Sequence, residues 1–331
     1  MINNNKFFIN NVNTVVIIGW CPNIDKLIKI NKSFNLKTLI ITSPNQKKLF
    51  NKNLKLNIFN KINNNSFKNF ILKKCNIEKT LFLSVSSMFI FEKKIIEFFK
   101  NNLINFFPSR LPYDQGRGGF SWHILREDRI SNQIFHLIDE GINTGPIICS
   151  KTSLFPSNCK IPLDYENYKW DEMNIFYKSF IKKILNQQTF VLKHQNDYLK
   201  RFNPSLNTMA NGYIDWNMKS YDLINFINAF DEPHQGASSF LNRSNFGRLF
   251  IKNVHLHGGD TSNHPFMAGI VSRHDGKWIT VATTGKHMLL IEKILNIKNE
   301  NIIGKIKEGD RFITPHQLID KSKGSSVVYK P

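Results

Sequence analysis

Short apolar runs alternate with amphipathic stretches along the first part of the chain, and this alternation limits the folds it can adopt. Thr14–Trp20 and Leu36–Ser43 are rich in β-branched residues and short enough to be strands buried on both faces. Ile24–Ser33 and Glu92–Phe99 place apolar residues at helical spacing. Strands that alternate with helices form βαβ units around a parallel sheet. The pattern predicts an α/β domain, and because no Gly-x-Gly-x-x-Gly follows Gly19, it does not indicate a dinucleotide site.

Predicted strands and helices continue to alternate up to about residue 200, and the pattern then changes. Further strands are predicted first at Leu54–Phe59, Thr80–Ser86, Leu103–Phe107, Asn132–Ile138 and Thr189–His194, and further helices at Ser66–Leu72, Phe120–Arg126 and Tyr165–Gln187. A polar segment, Arg201–Ala210, then leads to a predicted helix, Ser220–Phe230. Short β-like runs follow at Gly236–Leu241, Arg248–Leu256, Met267–Arg273, Trp278–Thr283 and Met288–Leu295. Short strands at this spacing predict a small β-barrel or sandwich.

Length and composition set the domain count and the compartment. A chain of 331 residues favours two domains, and we predict an α/β domain over 1–200, a linker over 201–215 and a β domain over 216–331. No uninterrupted apolar run reaches about 18 residues, so no membrane span is expected. The polar N-terminal residues are unlike a signal peptide. The few cysteines include no Cys-x-x-Cys pair, which favours reduced thiols in a cytoplasmic protein.

The net charge of +20 leaves the kind of partner open. It would suit an RNA partner, and it would equally attract a phosphorylated small molecule. The lysines are scattered, however, and the chain is also rich in Asn and Ile, so the charge can reflect composition alone. The oligomeric state is left open as well.

Two motifs in the middle of the chain contain candidate catalytic residues. Asn105–Pro112 reads Asn-Phe-Phe-Pro-Ser-Arg-Leu-Pro, and Asp139–Gly145 reads Asp-Glu-Gly-Ile-Asn-Thr-Gly. Together they resemble the active-site frame of the folate-dependent formyltransferases, which reads Asn-x-His-x-Ser-x-Leu-Pro and then Asp-x-Gly-x-Asp-Thr-Gly. Phe107 stands where that frame has its His, and Asn143 stands where it has its second Asp.

The second half of the chain resembles the same family. Ile214-Asp215-Trp216, the helix that follows and a final Gly-Asp-Arg-Phe are similar to the linker and C-terminal OB-like domain of the longer members. Those members include methionyl-tRNA formyltransferases and sugar N-formyltransferases. The resemblance therefore implies a Rossmann-like formyltransferase domain with a mostly parallel sheet, followed by a small OB-like β-barrel.

The resemblance also implies a reaction, in which an amine attacks the formyl carbon of N10-formyltetrahydrofolate and no metal takes part. Such a site needs donors for the formyl oxygen and a base for the amine proton. Asn105 matches the family donor, although a turn-capping role would also suit it. Phe107 cannot carry a proton, and Asn143 cannot act as a base near neutral pH. His136 is the best candidate to take over, and its alternative role is that of a packed core histidine.

The effect of the two replacements can be bounded. Loss of an oxyanion donor typically lowers the rate on the order of 10²–10³-fold. Loss of a general base lowers it roughly 10²–10⁴-fold. A site without compensating groups would therefore be inactive for formyl transfer.

Two further sets of residues are predicted to bind ligands. By resemblance, the folate pterin lies against Met88, Phe89 and Ile90 and against Asp139, Glu140 and Gly141, although Met88–Ile90 would also suit a plain strand-end cluster. Glycines allow close backbone approach, and arginine suits phosphate. A phosphorylated or nucleotide-linked substrate is therefore expected at Arg110, Asp114, Gly116, Arg117 and Gly118. A solvated surface loop is the alternative at these positions.

Three functions follow. The first is a formyltransferase with a non-standard active site, acting on an amine of a small substrate such as an amino sugar. The second is a methionyl-tRNA formyltransferase, favoured by the charge and opposed by the replacements. The third is a binding protein that kept the folate or substrate pocket and lost catalysis.

Overall fold

A computed structural model of the chain describes residues 5–116, 119–242, 246–260 and 262–325. The chain divides into two compact units, each assembled from separate segments of sequence. The first unit comprises Met1–Gln115, Ile130–Leu154 and Asn167–Phe202. The second comprises Gly116–Arg129, Phe155–Glu166 and Asn203–Pro331.

The strands up to residue 203 are, in chain order, β1 (Lys6–Phe7), β2 (Thr14–Gly19), β3 (Lys37–Thr42), β4 (Leu56–Ile58), β5 (Thr80–Val85), β6 (Leu103–Phe107), β7 (Gln115–Gly116), β8 (Ile130–Leu137), β9 (Ile147–Leu154), β10 (Phe190–Val191) and β11 (Phe202–Asn203). The main sheet of the first unit has the order β4-β3-β2-β5-β6-β8-β9. Its pairs from β4 to β6 are parallel, whereas β6–β8 and β8–β9 are antiparallel. The predicted α/β class with a parallel-containing sheet is confirmed.

The sequence reading missed β9 and overestimated β10. Ile147–Leu154 forms the edge of the sheet, and from Cys149 onward its residues alternate between partly buried, as at Lys151, and exposed, as at Thr152. An edge strand of this kind lacks the continuous apolar run that signals a buried strand. The predicted strand Thr189–His194 shortens to Phe190–Val191, which pairs with β1.

The helices are α1 (Ile24–Ser33), α2 (Pro44–Lys47), α3 (Asn65–Lys74), α4 (Lys93–Phe99), α5 (Gly119–Leu125), α6 (Pro162–Leu185), α7 (Thr208–Asn211), α8 (Ser220–Ala229) and α9 (His316–Gly324). The predicted helices all form, with ends that move by a few residues. Among the described residues, no helix is long and apolar enough to cross a membrane.

The main sheet is buried on both faces. Ile17 and Ile18 are adjacent on β2 and fully buried, yet they belong to different apolar clusters. The cluster of Ile17 includes residues of α1 and α6, and that of Ile18 includes residues of α3 and α4. Because successive side chains of a strand point to opposite faces, a strand covered on both sides must be apolar throughout. This requirement explains the unbroken apolar runs in the sequence.

The second unit is built on an antiparallel sheet that curls into a half-barrel. Its strands are β12 (Ala237–Leu241), β13 (Leu249–His257), β14 (Val271–His274), β15 (Ile279–Ala282), β16 (Met288–Leu295) and β17 (Phe312–Ile313), in the order β14-β15-β16-β13-β12-β17. The β-like runs predicted from the sequence all form strands. The predicted run Met267–Arg273 becomes a strand only from Val271, because Met267 lies in the 3-10 turn Pro265–Met267 and a turn follows it.

Candidate active site

Strand pairing brings the predicted catalytic residues together in the first unit. In the antiparallel ladder of β6 and β8, Asn105 lies directly opposite His136, and Phe107 lies opposite Ile134. Directly opposite residues of a sheet point to the same face. The side chains of Asn105, Phe107 and His136 therefore share one face, at the end of a parallel strand where open α/β sheets place their ligand crevices.

Hydrogen bonds link this cluster. Asn105 Nδ2 lies 3.1 Å from His136 Nε2 and 3.4 Å from Asn143 Oδ1. His136 Nδ1 lies 2.7 Å from the main-chain oxygen of Leu137. Because a carbonyl oxygen only accepts, we assign the imidazole hydrogen to Nδ1. Nε2 then carries the lone pair and accepts a hydrogen bond from the Asn105 amide.

Burial sets the protonation state of His136. The side chain is 2% exposed, and loss of hydration lowers its pKa below the ordinary value. The Leu137 carbonyl, the charge of Asp139 and the side chain of Asn143 act in the opposite direction without overcoming this effect. His136 is therefore neutral at neutral pH, which is the form that a general base requires.

Phe107 borders the cluster as a hydrocarbon wall. Its ring centroid lies 6.5 Å from that of His136, and the two rings meet edge to face at 78°. A phenyl ring offers no hydrogen-bond donor and no site for a proton. Phe107 therefore cannot take part in proton transfer.

The loop that presents Asn143 is held by its own side chains. Asp139 Oδ1 accepts hydrogen bonds from the Gly141 amide at 3.2 Å and the Thr144 hydroxyl at 2.6 Å. Gly145 approaches the main-chain oxygen of Leu137 so closely that a Cβ would lie 1.9 Å from it. Asn143 itself adopts a left-handed backbone with φ of 57°, a region that Asn tolerates better than most residues.

Gln195 ties this loop to the segment that follows β10. Its Nε2 donates to the main-chain oxygens of Asn143 at 2.9 Å and Gly145 at 2.7 Å. The sequence reading missed this residue. Gln195 lies in a polar stretch, and nothing in its local pattern distinguishes it from a solvent-exposed glutamine.

The residues predicted to contact the pterin lie on exposed loops. Met88 and Ile90 are 58% and 67% exposed, whereas Phe89 packs against the apolar cluster of α3 and α4. The loop before them begins at Ser86, whose carbonyl accepts a hydrogen bond from Gln46 Nε2 at 2.8 Å. These exposed apolar side chains, with main-chain groups between them, suit a planar heterocycle that needs an apolar surface and polar edges.

The remaining predicted pterin contacts belong to the Asn143 loop. Asp139 is engaged within the loop, and Glu140 pairs with Lys93 at 3.6 Å. Gly141 packs so tightly on Thr144 that a Cβ would lie 2.1 Å from the Thr144 hydroxyl oxygen. Side chains and tight turns thus shape this loop.

The residues predicted to bind substrate are only partly described. Asp114 is buried, and its carboxylate lies 3.2 Å from Arg201 Nη2 and 3.8 Å from Arg110 Nε. The Arg110 guanidinium also lies 5.1 Å from the centre of the Tyr113 ring. Gly116 belongs to the short strand β7. The predicted substrate residues Arg117 and Gly118 lie outside the described residues.

No metal centre is found in the part of the chain that the structure describes, where no group of three His, Cys, Asp or Glu side chains could hold an ion. The cysteines are free thiols. Burial raises the pKa of the Cys21 thiol to about 12, so it stays protonated near neutral pH.

Comparison with known proteins tests the resemblance to formyltransferases. Residues 208–304 match the family model described as "Formyl transferase, C-terminal domain". The methionyl-tRNA formyltransferase of Clostridium perfringens strain 13 is 23% identical over 219 residues, or 66% of this chain and 67% of the relative. That of Thermodesulfovibrio yellowstonii is 32% identical over 83 residues, covering 25% and 27% of the two chains. The predicted resemblance to the formyltransferase family is confirmed.

Solved structures share the fold of this chain. An N-formyltransferase from Helicobacter canadensis, in complex with folinic acid and dTDP-3-aminofucose, gives a TM-score of 0.61 at 18% identity and covers 85% of this chain and 99% of its own. The sugar 3N-formyltransferase WlaRD, determined with dTDP and 5-N-formyl-THF, gives 0.60 at 17% identity and covers 86% and 98%. At this level of identity the likeness shows the fold alone.

Proposed function

We propose that the chain is a formyltransferase that uses N10-formyltetrahydrofolate to formylate an amine of a small phosphorylated or nucleotide-linked substrate, such as an amino sugar. The observation that carries this proposal is the hydrogen-bonded cluster of Asn105, His136 and Asn143 at the end of β6. It combines amide donors with a buried, neutral imidazole. Formyl transfer needs these two kinds of group, a donor for the formyl oxygen and a base for the amine.

The proposed reaction keeps atoms and charges in balance. The amine nitrogen forms a bond to the formyl carbon and loses a proton to His136 Nε2. The bond from the formyl carbon to the folate nitrogen breaks, and His136 returns the proton to that leaving nitrogen. Negative charge gathers on the formyl oxygen in between, where the side-chain amides of Asn105 and Asn143 can donate to it.

His136 would compensate for the two replacements in the family motif. By resemblance, Phe107 and Asn143 occupy the places of the family His and Asp, which handle the proton. Neither side chain can do so. His136 lies one hydrogen bond from Asn105 and is neutral, so it supplies the missing base from the neighbouring strand.

The exposed loops beside this cluster fit a folate. Met88 and Ile90 offer apolar surface that the protein itself does not cover, which suits the face of a pterin ring. The structural relatives named above were determined with formyl-THF or folinic acid. Their dTDP-containing ligands likewise support a nucleotide-linked acceptor. Arg110 and the proposed contacts Arg117 and Gly118 would serve its phosphates.

A product assay tests the proposal. The purified chain is incubated with N10-formyltetrahydrofolate and dTDP-linked 3-amino or 4-amino sugars, and mass spectrometry follows the formylated product while absorbance follows tetrahydrofolate release. We expect turnover that His136→Ala and Asn105→Ala each lower by about a hundredfold or more. The double variant Phe107→His/Asn143→Asp is the companion measurement. If product forms only in that double variant, the natural site is degenerate and the chain is a binding protein.

A methionyl-tRNA formyltransferase is the second candidate. The curated relatives and the net charge of +20 favour it. An assay with methionyl-tRNA, run beside the amino-sugar assay, distinguishes the two. An RNA substrate also predicts that KM rises steeply with salt, because each phosphate contact releases counterions.

We further propose that the half-barrel is an OB-like domain, and that 1–200, 201–215 and 216–331 act as catalytic domain, linker and C-terminal domain. A cytoplasmic location follows from the same proposal, since reduced folates and nucleotide-linked sugars are substrates of that compartment. Separate expression of the two predicted domains tests the boundaries by showing whether each unfolds cooperatively.

A further inference from the structure

The side-chain amide of Asn105 has its hydrogens already engaged. An amide nitrogen carries two donors. One faces His136 Nε2 at 3.1 Å, and the other faces Asn143 Oδ1 at 3.4 Å. In this state the amide has nothing left to offer to the oxygen of a bound formyl group. An oxyanion donor at Asn105 therefore requires one of these hydrogen bonds to break.

Protonation of His136 breaks one of them. Nδ1 already donates to the Leu137 carbonyl at 2.7 Å, so Nε2 is the nitrogen that takes up a proton. Nε2 is then a donor, and a donor cannot accept a hydrogen bond from the Asn105 amide. The same proton that makes His136 cationic thus releases a hydrogen of Asn105.

Asn143 supplies the acceptor that the cation needs. Its side chain is among the groups that favour the charged form of His136. Its Oδ1 also lies close to Asn105 Nδ2, which is the partner of Nε2 in the neutral state. A small rearrangement therefore lets the new Nε2–H donate to Asn143 Oδ1, so that the buried cation keeps a hydrogen-bond partner.

We propose that His136, Asn105 and Asn143 form a proton-operated hydrogen-bond switch, in which transfer of the amine proton to His136 turns an Asn105 N–H toward the formyl oxygen as charge develops there. The inference rests on the proposed function, because the proton comes from the attacking amine. Its benefit is one of timing. Nε2 has a single lone pair, so the attacking amine must displace the Asn105 N–H before it can transfer its proton. The donor is therefore freed only once the amine is in place, and its hydrogen bond strengthens as charge develops on the formyl oxygen, which is the differential binding that raises kcat.

Few charged groups surround His136 and affect its protonation. Asp139 follows in the chain, and its charge favours the protonated imidazole. From β6 the neighbours are the neutral Asn105 and Phe107, and from β9 the paired residue is the apolar Ile147. The carboxamide of Asn143 completes the set of polar partners.

A pH titration by 15N NMR tests the switch in the ligand-free protein. The His136 ring nitrogens and the side-chain NH2 of Asn105 are followed together. We expect the Asn105 resonances to shift with the same midpoint as His136. In Asn143→Leu the midpoint should move to lower pH, because the cation loses its acceptor. The NH2 group of Asn225, which donates to Glu127 at 2.6 Å, is the matched control and should not follow His136.

Kinetics complete the test. Asn105→Ala should lower kcat by about 10²–10³-fold, with the KM for the amine changing far less. If formyl transfer occurs while the Asn105 resonances stay flat through the His136 titration, the switch is wrong and the proposed function stands. If no amine is formylated, the proposed function fails, and the catalytic role of the switch fails with it. Should Asn143→Leu not fold, the titration of the unmodified chain still decides.

Discussion

Gln195 Nε2 lies 2.9 Å from the main-chain oxygen of Asn143, although 52 residues separate the two in sequence. The same nitrogen donates to the Gly145 oxygen at 2.7 Å. The loop that carries Asn143 is thus fastened from outside by one side chain. Gln195 holds the main chain of Asn143 and has no proposed contact with the reacting atoms, so we regard it as a positioning residue.

Removal of this contact should both slow catalysis and weaken the fold. We expect Gln195→Leu to lower kcat by about tenfold, a loss of ~1.4 kcal/mol in the transition state. The free energy of unfolding should fall by about 1–3 kcal/mol for two lost hydrogen bonds. Gln195→Glu should be worse, because a carboxylate faces two carbonyl oxygens. Gln188→Leu, at an exposed position, is the control, and equal kcat in both variants would remove Gln195 from the mechanism.

The left-handed backbone of Asn143 predicts which substitutions the loop tolerates. Glycine adopts a φ of 57° without steric cost, whereas a β-branched residue is strained there. We expect Asn143→Val to be about 1–2 kcal/mol less stable than Asn143→Gly in urea denaturation. Both variants lose the carboxamide, so both should be slow in formyl transfer. Equal stability of the two would mean that the loop adopts another conformation.

The lowered pKa of His136 predicts the pH dependence of the reaction. A general base works in its unprotonated form, so kcat/KM should fall as pH drops through the pKa of His136 in the free enzyme. Because burial lowers that pKa, the acid limb should lie below the usual histidine value of about 6.5. The variant Asn143→Asp adds a carboxylate beside the ring and should move the limb to higher pH. A profile identical in both forms would exclude His136 as the base.

Replacement of His136 should lower the rate more than the substitutions at Gln195 or Ile90. We expect His136→Ala to lower kcat by roughly 10²–10⁴-fold and to flatten the acid limb. His136→Gln, which keeps a polar side chain of similar length, should not restore the rate, since it cannot carry a proton. Wild-type turnover in His136→Ala would show that another group moves the proton.

The exposed apolar loop should serve folate binding rather than stability. Ile90 is 67% exposed, so Ile90→Ser should leave the midpoint of thermal unfolding nearly unchanged. We expect it to raise the KM for N10-formyltetrahydrofolate by about tenfold, which corresponds to one apolar contact of ~1.4 kcal/mol. Ile175→Ser, on α6 and 59% exposed, is the control. A KM that responds equally to both changes would argue against a pterin at this loop.

Breaking a buried ion pair should destabilise the second unit. Lys252 and Asp231 have side chains 7% and 5% exposed, with Nζ and Oδ1 3.5 Å apart. Lys252 Nζ also donates to the His234 oxygen at 2.8 Å, and Asp231 Oδ2 accepts from the Asn253 amide at 2.8 Å. We expect Asp231→Ala to lower the free energy of unfolding by up to about 3–5 kcal/mol, because the buried cation loses its buried partner and keeps only Glu232, whose Oε1 lies 3.5 Å away and whose side chain is 47% exposed.

The double variant Asp231→Leu/Lys252→Met is the informative comparison for this pair. Replacing both charges by apolar side chains removes the penalty for an uncompensated ion, so much of the stability should return. Urea denaturation of the single and double variants measures the difference. A double variant as unstable as the single one would show that the hydrogen bonds to His234 and Asn253, rather than the charges, hold this region.

Local sequence was sufficient for the strands and helices that bury whole faces. β2, β3, β5 and β6 appear as apolar runs because a strand covered on both sides cannot carry polar side chains, and the C-terminal β runs show the same link between burial and pattern. β9 escaped detection because an edge strand needs no such run. The resemblance to formyltransferases also predicted that Asn105 and Asn143 lie in one site, because the family motifs contribute both positions to its active site.

Contacts across the fold were decided only by the tertiary structure. His136 lies 31 residues from Asn105, and their contact depends on the register of an antiparallel ladder, in which a slip of one residue turns His136 to the other face. The neutral state of that histidine depends on burial by segments distant in sequence. Gln195 donates to the main-chain oxygens of Asn143 and Gly145. Every residue has such an oxygen, so no pattern of side chains could have predicted the contact.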